Sequence, residues 1–146
     1  MAISSLIAAK KVCELRDWQV TNLEIQKILY LAHMVFLGRS DGVAPLVTEK
    51  FQAWDYGPVL PAVYNKAKIF GSEAVQNVFH EYPSISSTEE SVVIEETVNM
   101  LNGKSAAELV AITHWEQGAW ASYYTPGAKG VVIPNSAILE EYKKRV

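Results

Sequence analysis

The sequence predicts a mainly α fold: a compact single-domain bundle of about seven helices around a buried central helix, with a small β element near residues 46–54. Three observations carry this expectation. Ser/Thr-x-x-Glu patterns, which cap helix starts by exchanging side-chain and backbone hydrogen bonds, occur at Thr21 with Glu24, Ser87 with Glu90 and Ser105 with Glu108. Residues 28–37 hold His33 as their only strongly polar member, and a helix that is apolar nearly all round is buried all round. Residues 46–54 mix β-branched and aromatic side chains with broken alternation, the pattern of a short strand or two exposed on one side.

Taken in order, the first helix is expected over residues 2–16, with Leu6, Ala9, Val12 and Cys13 as its apolar stripe and Trp18 at the following turn. The second, central helix begins at the Thr21 capping box, buries Ile25, Ile28, Leu29, Ala32, Val35 and Phe36, and ends at Gly38. Residues 41–45 read as a turn leading into the β element. Gly57 and Pro58 open a third helix carrying Val59, Val63, Ala67 and Phe70, because proline is tolerated in a first turn whose N–H would be unpaired anyway. Residues 72–80 read as a short fourth helix. The Ser87 box starts a fifth with Val93, Ile94, Val98 and Leu101, and the Ser105 box a sixth with Leu109, Ile112 and Trp115. Residues 126–130 form a loop. Asn135 caps a last helix whose final turn holds Lys143, Lys144 and Arg145, the sign favoured at a helix C-terminus.

Composition bounds the function. With 146 residues, 49% hydrophobic and 20% charged, the chain suits one domain, residues 1–146, with a real core. A net charge of −3 gives no global electrostatic case for nucleic acid. Acidic residues concentrate at 69–103, where Glu73, Glu81, Glu89, Glu90, Glu95 and Glu96 stand without a Lys or Arg; this reads as a solvated face or a dock for a basic partner. Lys10, Lys11 and Arg16 near one end and Lys143, Lys144 and Arg145 at the other would make a modest basic patch if the ends met. The single Cys13 sits in an apolar stripe and reads as a buried structural thiol, in keeping with a reducing cytoplasm. No stretch has the length of a membrane span, and the apolar run near the N-terminus is too short for a signal peptide. No metal-ligand spacing, phosphate-binding glycine loop or nucleophile motif is present, so neither catalysis nor a cofactor is expected.

Two segments carry a resemblance. Residues 23–32 read LEIQKILYLA, and residues 53–59 read AWDYGPV, followed by Pro61 and Tyr64. Both are similar to the signature of the Panacea domain family, which includes SocA-like antitoxins and phage-associated GepA-like proteins. A third, looser match comprises Leu109, Thr113, His114 and Trp120, then Ile133, Pro134 and Ile138; Ala119 stands where the family pattern has proline. The resemblance implies an antitoxin or proteolytic adaptor of a toxin–antitoxin system, prophage-associated, whose partners are a cognate toxin and a protease. It leaves the oligomeric state open.

The partner-binding residues to which this points are Trp54, Asp55, Tyr56, Tyr64, His114 and Trp120. Tryptophan and tyrosine favour binding hot spots because they bury large area while keeping a polar tip, although the same residues also suit a structural strand-to-helix junction. His33, on an apolar helix, reads as a satisfied core histidine. Two other readings stand beside the antitoxin: a phage or mobile-element regulator touching nucleic acid through the basic ends, and an enzyme with a pocket of Trp54, Asp55, Tyr56 and His114, in which Asp55 and His114 would pair as acid and base.

Overall fold

The computed structural model describes residues 1–128 and 130–146. Among them run α1 (Ser5–Leu15), α2 (Asn22–Arg39), β1 (Phe51–Trp54), β2 (Gly57–Val59), α3 (Pro61–Ala67), α4 (Glu89–Met100), α5 (Ala106–Thr113), α6 (Ala119–Tyr123), β3 (Val132–Ile133) and α7 (Asn135–Arg145). A single 3₁₀ turn, Lys68–Phe70, prolongs α3. Seven α-helices and one small antiparallel sheet, in the order β2-β1-β3, thus make up the described fold, as expected. Among the described residues no helix is long and apolar enough to cross a membrane.

Helix α2 is the hub. It packs on α1, α3, α4, α5, α7 and β2. Its start is fixed by the Thr21 box: the Thr21 hydroxyl accepts the Glu24 N–H at 3.2 Å, and the Glu24 carboxylate accepts the Thr21 N–H at 2.9 Å. Ile25, Ile28, Leu29, Tyr30 and Ala32 are wholly buried, and each large apolar side chain so covered contributes about 1.5–3 kcal/mol. The helix passes through Gly38 and ends a residue later. Gly42, at φ +84°, supplies the left-handed turn and donates its N–H to the Leu37 carbonyl at 2.8 Å. Gly38 instead lets α7 approach, since a Cβ there would overlap the Tyr142 ring.

Two polar groups on this buried helix find their partners on α7. The Tyr30 hydroxyl donates to the Glu141 carboxylate at 2.7 Å. His33 Nε2 meets Asn135 Oδ1 at 2.9 Å, while Nδ1 accepts the Val47 N–H at 3.4 Å. Those roles describe a neutral ring with its proton on Nε2, the satisfied core histidine expected. Burial lowers its pKa to about 4, with the Asn135 bond opposing and Lys50 adding to the shift. The unfolded chain takes up this proton near pH 6.5 and the folded chain only near 4, so stability falls as pH drops through that window, by about 3 kcal/mol from this group. An NMR titration checks this: the His33 ring is expected to stay neutral until about pH 4, and titration near 6.5 would contradict it.

Several elements differ from expectation. Residues 72–80 form no helix. Val75 and Phe79 are buried, yet the Val75 N–H pairs with the Val20 carbonyl, Ala74 bridges Thr21, and the Asn77 side chain takes the Phe79 N–H. A local side-chain bond and a strand-like bridge here outcompete the helix. Gly57 and Pro58 lie in β2, and Pro61 opens α3. The N-cap of α4 is Thr88, whose hydroxyl accepts the Ser91 N–H; Glu90 is drawn to the Met1 ammonium at 3.0 Å, so no Ser87 box forms. The Ser105 box is present. Asn135 is the first residue of α7, with Pro134 at the cap position. The loop at 126–130 has a turn at Pro126 and Gly127, and its Lys129 lies outside the described residues. Cys13 is buried, and burial pushes its thiol up to about 12.

Candidate functional site

The hairpin of β1 and β2 carries the site. Gln52 pairs with Val59, Ala53 with Pro58 and Trp54 with Gly57, so Asp55 and Tyr56 form the tip. The other edge of β1 is held by β3, Phe51 opposite Ile133. Pro58 fits this arrangement because β2 is an edge strand, where a missing N–H costs nothing.

Around the tip the six residues expected from sequence come together. Trp54 packs edge-on against Tyr64 of α3, with ring centroids 4.8 Å apart. Trp120 of α6 donates its indole N–H to the Trp54 carbonyl at 2.7 Å. The same indole is stacked between His114 on one side, at 3.9 Å, and Tyr124 on the other, at 4.7 Å. Tyr124 closes the ring of contacts by donating its hydroxyl to the Asp55 carboxylate at 2.6 Å, a bond that raises the Tyr124 pKa. The aromatic column is therefore clamped to the hairpin by two hydrogen bonds. Tyr56 stands outside it with 73% of its surface exposed.

Beneath the tip lies a cleft of about 370 Å³ between the hairpin, the start of α2 and α3; Trp54, Asp55, Tyr56, Tyr64, Leu23 and Lys27 are among its lining. Lys27 is the residue that sequence reasoning passed over. Its side chain is fully buried, and among the described residues its ammonium makes one hydrogen bond, to the Pro58 carbonyl at 3.3 Å. Burial lowers its pKa to about 7. His114 Nε2 is also buried and finds no hydrogen-bond partner among the described residues. Burial lowers the His114 pKa; the neighbouring Tyr56 backbone opposes this and Lys27 reinforces it. Both nitrogens press on Gly57. A Cβ at that residue would lie 2.7 Å from Lys27 Nζ and 3.1 Å from His114 Nε2, and its φ of +111° already favours glycine.

The arrangement does not assemble the acid–base pair of Asp55 and His114. Asp55 is engaged by Tyr124, and His114 lies behind Gly57, stacked on Trp120. Among the described residues no group of three or more His, Cys, Asp or Glu gathers as metal ligands. The charged surfaces are largely self-paired. Glu90, Glu95, Glu96 and Glu81 meet the Met1 ammonium, Lys11, Arg39 and Lys66. Lys10 donates to the Tyr82 carbonyl and Arg16 to the Val98 carbonyl. The acidic stretch is thus mostly a partner for this chain's own cations.

Comparison with known proteins identifies the family. The family model described as "Antitoxin SocA-like, Panacea domain" matches residues 25–121, a span that contains all six site residues and Lys27. A protein named Antitoxin SocA, from Caulobacter vibrioides (strain NA1000 / CB15N), is 32% identical over 131 residues, covering 82% of this chain and 66% of that protein. The present chain therefore spans just under two thirds of that relative's length. No solved structure matches the chain. On the family match and the sequence identity together, the chain belongs to the SocA-like Panacea domain family.

Proposed function

We propose that the chain is a protein-binding antitoxin, residues 1–146 acting as one domain, that neutralises a cognate toxin by direct contact through the hairpin tip and its cleft. The observation that carries this is Tyr56: a large aromatic residue 73% exposed beside an open, largely apolar cleft, on a turn clamped from behind by Trp120 and Tyr124. A rigid aromatic anchor next to a pocket is the usual anatomy of a binding hot spot. The name of the relative in Caulobacter vibrioides supports the same role. A nucleic-acid reading has less support, because the cations of α1 are engaged within the fold.

Co-expression with the adjacent open reading frame tests the proposal. The two products are expected to co-purify stoichiometrically, and growth is expected to recover. Tyr56→Ala should weaken the complex roughly 30-fold or more, about 2 kcal/mol, while leaving the thermal midpoint unchanged. Continued toxicity with no co-purification would end the antitoxin reading.

A further inference from the structure

Lys27 and His114 bring two buried nitrogens against Gly57; among the described residues the Lys27 ammonium bonds only the Pro58 carbonyl, at 3.3 Å, while the Tyr56 backbone stands beside the His114 ring. A lysine ammonium has three N–H donors, so most of its hydrogen-bonding capacity is unused. No carboxylate of this chain pairs with it among the described residues, although Glu residues elsewhere are paired freely. The cleft it borders is lined mainly by apolar and aromatic side chains. An amine kept in so poor a setting is short of hydrogen-bond acceptors.

We infer that Lys27, with His114 beside it, receives the side-chain carboxylate of a partner polypeptide, an Asp or Glu flanked by an apolar residue that fills the cleft lined by Trp54, Tyr64 and Leu23. This rests on the reading of the cleft as a protein-binding site and names the chemistry of the segment it takes. Charge complementarity selects the occupant: among the described residues no carboxylate pairs with the buried amine, a carboxylate beside it would favour its charged form, and an apolar wall stands next to it. The exposed Asp55 would repel a second acid at the rim, so the site accepts one carboxylate and rejects an acidic run. The titratable groups around the amine are Asp55 and Tyr56 of the turn, Tyr64 of α3 and His114 at the end of α5. Asp55 is already bonded to Tyr124. Lys27 is fully covered in the free protein, so entry of the acid requires the turn at residues 55–57 to swing out, breaking the Asp55–Tyr124 bond that clamps it in the free state.

The test uses the intact protein with lysine labelled at Cε and two tripeptides at millimolar concentration, acetyl-Leu-Glu-Leu-amide and acetyl-Leu-Gln-Leu-amide. The Glu peptide is expected to shift the Lys27 Cε resonance and raise the apparent Lys27 pKa by one unit or more. The Gln peptide, and acetyl-Leu-Leu with a free C-terminus, should leave both unchanged. Equal response to Glu and Gln, response only to the free C-terminus, or no response to any peptide would each overturn the inference. Lys27→Met separates it from the antitoxin reading. Retention of the full complex by Lys27→Met, with Tyr56→Ala losing it, would remove the carboxylate receptor and leave the binding face intact. Weakening by Lys27→Met of tenfold or more, with a thermal midpoint at or above that of the parent, is the supporting result.

Discussion

Replacing Glu141 with alanine is expected to cost about 3–5 kcal/mol, roughly 10–16 °C in thermal midpoint for a chain of this size. Its carboxylate is completely buried and serves three donors on three elements. Tyr30 on α2 reaches it at 2.7 Å, the Ala119 N–H at the start of α6 at 2.9 Å, and Arg145 one turn further along α7 at 2.8 Å. Gly118 makes room for it, since a Cβ there would come within 2.8 Å of the carboxylate oxygen. Removing the acid leaves a buried hydroxyl and a buried N–H without acceptors, and frees Arg145, whose guanidinium also covers Trp115 at 4.6 Å. The desolvation cost of those stranded donors, more than the lost attraction, sets the magnitude. Glu141→Gln keeps an acceptor for Tyr30 and Ala119 and should recover about half the loss. Urea denaturation of the two variants decides the matter; a loss below 1 kcal/mol for the alanine variant would contradict it.

Lys27→Met should move stability the other way. The folded chain holds Lys27 at a pKa of about 7 against 10.5 in the open chain, so below pH 7 the protein carries the cost of a buried and nearly unpaired ammonium. Stability from this group falls as pH drops from 10.5 to 7, then levels off. Methionine has nearly the same length without the charge. A gain of about 2–4 kcal/mol is expected at pH 6, shrinking as pH rises from 7 and vanishing above about 10.5, where the open chain's amine is neutral as well. Matching stabilities at every pH would refute the burial argument. Such a gain would also show that the residue is kept at a cost, as functional groups often are.

What was legible in the sequence follows from the range of the forces. The Thr21 and Ser105 boxes are three-residue interactions, and both were read correctly. The burial of α2 was legible because nothing polar interrupts residues 28–37 except His33. The segment at 72–80 buries its apolar residues at helical spacing, yet spacing alone does not distinguish a helix from an irregular strap held by Val20 and Thr21. At the site, the aromatic and proline motif marked the hairpin. It did not mark Lys27, because a lysine at one position of a helix looks like its solvent face until β2 folds over it. Nor did it mark Glu141, whose bond to Tyr30 spans 111 residues.

That long-range bond has a bearing on how the chain is made. Tyr30 and His33 sit on the first helix that must be enclosed, and their partners Glu141 and Asn135 come from the last one. The second edge of the hairpin also waits for residues 132 and 133. While the chain is still on the ribosome, the centre of the bundle holds polar groups that nothing emerged so far can satisfy. Docking of α7 is then the event that closes the core and sets the aromatic turn in place together. A chain interrupted before residues 132–145 would expose the central helix and leave the aromatic turn without the second edge that holds its hairpin.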